Sequence, residues 1–117
     1  MFRVSVSAAR HIAAAAVIFS LLACAGCSSP EERAQRHYES GMELLKKQDY
    51  AHAAIEFKNA LQLNGEMAQA WMGLAEVDEH DQKWDELRKI LRKVTELDKK
   101  NLDARVRLTR LMLLSRN

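Results

Sequence analysis

Residues 34–67 read AQRHYESGMELLKKQDYAHAAIEFKNALQLNGEM, and residues 68–101 read AQAWMGLAEVDEHDQKWDELRKILRKVTELDKKN. Set one above the other, they bring Gly41 onto Ala75, Tyr50 onto Trp84, Phe57 onto Leu91 and Ala60 onto Val94, an offset of 34 residues. The same offset carries a third start to Leu102. Within the first stretch Ala53, Ala54, Phe57, Ala60 and Leu61 follow the spacing of one helix face. A period of this length implies stacked helix pairs, each of which buries its apolar face only against its neighbours.

The pattern predicts five helices and an all-α domain over 31–117. Ser29-Pro30-Glu31-Glu32 offers a capping hydroxyl, a proline at the first helical position and a glutamate where a capping box needs it. The first helix is expected to run to about Lys47, and Asp49 is placed to cap the second. Asn64-Gly65 is expected to close that second helix in a left-handed conformation. The third helix carries Trp71, Leu74, Ala75 and Val77, and the fourth Trp84, Leu87, Ile90, Leu91, Val94 and Leu97. The fifth starts near Leu102, with Leu108, Leu111 and Met112 expected against the preceding pair.

Ahead of this region the chain has a different character. Arg3 and Arg10 precede the apolar run Ile12–Leu22, which is too short for the roughly 20 residues that span a bilayer. It reads as the hydrophobic part of a signal peptide over 1–23. Two cysteines follow in Leu21-Leu22-Ala23-Cys24-Ala25-Gly26-Cys27. Small residues before a cysteine at this place resemble the bacterial lipobox, which implies cleavage, lipid attachment and a tether over 24–30. Cys24, with Leu21 three places before it, is the preferred lipidation site; Cys27, behind Ala25-Gly26, is the alternative. Neither Ala25 nor Ser28 is the aspartate that retains many such proteins at the inner membrane, so outer-membrane delivery is expected.

Loss of the leader removes two arginines, lowering Lys+Arg from 18 to 16 against 16 acids. The domain is neutral overall and polarised along its length. Glu31–Gln82 holds 11 acids and 5 bases, Lys83–Asn117 11 bases and 5 acids. Such a split attracts oppositely charged partners or other copies. The basic half carries no nucleic-acid recognition motif, and no nucleic-acid partner is expected.

Nothing in the sequence assembles into a catalytic constellation. His37, His52 and His80 fall on different helices or turns, and Asp78-Glu79-His80-Asp81 reads as a solvated helix end rather than a metal cluster. There is no nucleophile with a base beside it and no glycine-rich phosphate loop. The expectation is a non-enzyme with neither cofactor nor metal.

Over Ala34–Asn117 the chain resembles tetratricopeptide repeat (TPR) proteins, in which each repeat is a helix hairpin. The residues that carry the likeness are Gly41, Tyr50, Ala53, Phe57 and Ala60 in the first repeat and Trp71, Ala75 and Trp84 in the second. Leu87, Leu91 and Val94 depart from the small-aromatic-small pattern, which implies a looser second pair. The resemblance implies a solenoid of about two and a half repeats (34–67, 68–101 and a partial 102–117). More narrowly, Glu56–Gln62 and Asn101–Arg105 resemble longer TPR lipoproteins found with bacterial exopolysaccharide and PEP-CTERM protein-sorting systems.

In TPR proteins the first helices line a groove that holds a partner. Carried onto this chain, that groove comprises Gln35, Tyr38, Met42 and Leu45; then Gln69, Met72, Glu76 and Glu79; then Asp103, Val106, Arg110 and Leu113. Methionines and aliphatics there make an adaptable peptide-binding stripe, although some of these side chains also suit simple helix packing. The function implied is a lipid-anchored scaffold for a protein or peptide partner at the periplasmic face of a bacterial membrane. The competing reading is a structural module that stacks on further repeats. Val106, Leu113 and Leu114 exceed what one buried stripe needs, so residues 28–117 are expected to self-associate or to require a partner.

Overall fold

The computed structural model describes residues 27–115. The expected signal peptide and Cys24 lie outside them. Five helices follow one another: α1 (Pro30–Lys46), α2 (Tyr50–Leu63), α3 (Ala68–His80), α4 (Trp84–Leu97) and α5 (Leu102–Leu114). There is no strand among the described residues, so the class is all-α. None of these helices is long and apolar enough to cross a membrane.

The start of α1 obeys its local chemistry. Ser29 Oγ accepts from the Glu32 amide at 3.1 Å, and the Ser29 amide donates to Glu32 Oε2 at 3.2 Å, closing a capping box. Asp49 caps α2 by accepting from the His52 amide at 3.2 Å. Asn101 caps α5 by accepting from the Ala104 amide at 3.0 Å.

The turns repeat at the same 34-residue offset as the sequence. Gln48 and Gln82 are the two non-glycine residues with positive φ among those described, at 61° and 58°. Around Gln48 the Asp49 amide donates to Leu44 O and the Gln48 amide to Leu45 O. Around Gln82 the Lys83 amide donates to Asp78 O and the Gln82 amide to Glu79 O. Both are Schellman closures, the hydrogen-bond pattern that satisfies the last carbonyls of a helix. The other turns match too: Asn64 and Asp98 adopt φ −142° and −131°, and their side chains accept from the Glu66 and Lys100 amides.

These turns correct one expectation. Asn64 is extended and Gly65 has no positive φ, so the left-handed residues are the two glutamines instead. The Asn64 side chain already satisfies the turn through the Glu66 amide at 3.1 Å, and no left-handed residue is needed.

Successive helices pack on one another, and α1 also touches α3. The core runs through all five. Ala53, Phe57 and Ala60 of α2 are fully buried, as are Ala70 and Ala75 of α3, Leu91 and Val94 of α4, and Ala104 of α5. Small residues sit where helices meet because a larger side chain would push the backbones apart. Met112 departs from expectation, being 47% exposed, whereas Leu108 and Leu111 pack on the core beside Ala104.

Candidate functional site

The key to the site is Phe57. An added Cβ at Gly41 of α1 would lie 2.6 Å from its ring, and one at Gly73 of α3 2.5 Å from it. Only glycine lets both helices close on the buried ring, and this clamp sets the distance between α1 and α3. Tyr38 packs on the same ring, with centroids 6.1 Å apart and planes tilted by 44°.

Between the first helices of the pairs lies a groove of about 280 Å³. Its apolar floor is Tyr38 and Met42 of α1 with Met72 and Gly73 of α3. Its polar edge is Gln69 and Glu76 of α3, Asp98 and Asn101 of the turn between α4 and α5, and Asp103 and Arg107 of α5. Arg107 reaches back to Glu79 of α3 and lies 3.4 Å from Asp103, so its guanidinium ties α5 to α3. Glu76 has no ion-pair partner among the described residues, which leaves the edge acidic. The groove thus offers polarisable, half-buried apolar side chains below carboxylates.

Six of the twelve expected groove residues, Tyr38, Met42, Gln69, Met72, Glu76 and Asp103, come together in this groove. Glu79 stands at its margin, engaged by Arg107. Leu45 is half-buried and packs against the core. Val106, Arg110 and Leu113 line a separate hollow on α5 with Leu102, Arg105 and Thr109. The expected single stripe is therefore two surfaces. Arg107 and Gly73 were not expected: an arginine in a basic helix and a glycine within a helix carry no distinctive pattern.

The acidic stretch ending α3 is dispersed by the helix. Asp81 accepts from Lys83 Nζ at 2.8 Å and lies 3.1 Å from His80 Nδ1, contacts that hold its carboxyl below the ordinary range. The same Asp81 contact, first as a hydrogen bond, raises Lys83. Burial pushes Asp78 above the usual value. The His80 ring stacks on Tyr50 with centroids 3.6 Å apart. Among the described residues no group of three or more such side chains is placed to hold a metal ion.

Cys27, the alternative lipidation site, is an exposed free thiol at the edge of the described residues. Next to it Ser28 Oγ accepts from Arg36 of α1 at 2.8 Å, linking the residues before α1 to that helix. No family model matches the chain, and no curated protein is significantly similar to it.

Proposed function

We propose that the chain is a lipid-anchored TPR scaffold that holds an extended segment of a partner protein at the periplasmic face of a bacterial membrane, the outer membrane in preference to the inner. The observation that carries this reading is the groove over Phe57, where Tyr38, Met42 and Met72 meet beneath Glu76. The 34-residue recurrence of Schellman turns and left-handed glutamines supports the TPR assignment. An apolar floor with an acidic edge suits a segment carrying apolar and basic side chains. Partner binding, rather than catalysis, is the role assigned, with no cofactor.

A groove variant tests the reading. Met72→Glu places a charge on the floor at a half-buried position. The full-length chain extracted from membranes should then lose its co-purifying partner while keeping its helical signal and melting temperature. Retention of the partner by a folded Met72→Glu chain would refute the groove as the binding site. A second reading, a module that stacks on further repeats, draws on the exposed apolar side of α5.

A further inference from the structure

The helix α5 is apolar on two opposite sides. One side, with Ala104 fully buried, packs on α4. The other carries Leu102, Val106 and Leu113 at 68%, 58% and 61% exposure. With Thr109 these residues alternate steps of four and three, the seam a partner helix packs along. Arg105 flanks the seam on one edge and Arg110 on the other, and neither has an ion-pair partner among the described residues.

The chain contains its own template for what covers such a face. Shifted back by two periods, 68 residues, Leu102, Arg105, Thr109 and Leu113 become Ala34, His37, Gly41 and Leu45 of α1. There Ala34 is fully buried, Gly41 meets the Phe57 ring of α2, and His37 Nδ1 lies 2.7 Å from Glu56 of α2. A second helix seats on this face, and its carboxylate meets the residue equivalent to Arg105.

We infer that the outer face of α5 is a docking seat for an acidic amphipathic helix of a partner protein. Such a helix would place a carboxylate against Arg105, as Glu56 stands against His37, and a second near Arg110. Thr109 replaces Gly41 at the closest approach, so the helix carries a small side chain there instead of an aromatic. A second copy is the wrong occupant. Two α5 faces brought together would set arginines against arginines. In the acidic half, Ile55 is the large apolar side chain left exposed among the described residues, and one residue makes no stripe. This seat is distinct from the groove, and Met72→Glu leaves it intact.

The probe is a fluorescent peptide with the sequence of residues 49–64 and Phe57→Ala, paired with a version that also carries Glu56→Lys. Each is titrated with the full-length chain in detergent and read by anisotropy. The acidic peptide should bind saturably, and Leu113→Glu in the chain, at an exposed position, should weaken it by about tenfold or more. Arg105→Glu should weaken the acidic peptide and strengthen the lysine-bearing one, a reversal that no general loss of structure produces. No saturable binding overturns the proposal, as does binding indifferent to Leu113→Glu or equal weakening of both peptides by Arg105→Glu. Sedimentation showing a dimer that Leu113→Glu dissociates and the acidic peptide does not would reassign the face to a second copy.

Discussion

Gly41 on α1 and Gly73 on α3 approach the single ring of Phe57, each too closely to admit a Cβ. This couples the helix-pair spacing to the size of one side chain. In the second pair the residues equivalent to Gly41 and Phe57 are Ala75 and Leu91, a larger small residue with a smaller large one.

Gly41→Ala should therefore cost about 1–3 kcal/mol by overpacking, measured from denaturant midpoints. Adding Phe57→Leu, which copies the second pair, should recover part of that loss. A coupling of about 1 kcal/mol in the double-mutant cycle is expected. Simple additivity would mean that the ring and the glycine do not compete for the same space.

Gln48 and Gln82 hold a left-handed conformation at two equivalent turns. A side chain there costs roughly 1 kcal/mol relative to glycine. Gln48→Gly and Gln82→Gly should each stabilise the fold by up to about that amount, less what glycine loses in the unfolded chain. Destabilisation by either would show that the glutamine side chain holds its turn.

The pH dependence of one substitution follows from Asp78, whose carboxyl is raised chiefly by burial. It stands where the first pair has Leu44. A raised folded pKa means that the ionised form is disfavoured on folding, so the native state gains stability as pH falls through that pKa. Asp78→Asn should stabilise the fold at neutral pH by no more than about 1 kcal/mol given the site's partial exposure, read as a higher melting temperature. The advantage should fade as the medium becomes acidic enough to protonate Asp78. An advantage that grew in acid would reverse the assigned cause.

The anchor prediction separates the two cysteines. Cys24→Ser should abolish incorporation of labelled palmitate, and Cys27→Ser should leave it intact. The opposite result moves the anchor to Cys27, and labelling that survives both changes removes the lipoprotein reading.

Helix positions, the capping box at Ser29 and the buried set Ala53, Phe57, Ala60, Leu91 and Val94 were legible because apolar periodicity and hydroxyl caps are local signals. Gly65 misled because glycine signals permission for a left-handed turn, not a requirement, whereas Gln48 and Gln82 are held there by helix closure. Gly73 and Arg107 were not legible, since their roles depend on Phe57 and Glu79, residues on other helices. The groove was half legible. Position along a first helix located Tyr38, Met42, Met72 and Glu76, but it did not reveal that Val106, Arg110 and Leu113 open onto a different surface.

The most direct test of the scaffold reading is site-specific photo-cross-linking in the cell, with the reactive residue placed at Met72 in the groove or at exposed Ile55 on α2. A discrete protein adduct from Met72, absent from Ile55 and lost when Tyr38→Glu is added, is the predicted result. Equal adducts from both positions, or none from Met72 in cells where the chain is abundant, would contradict it.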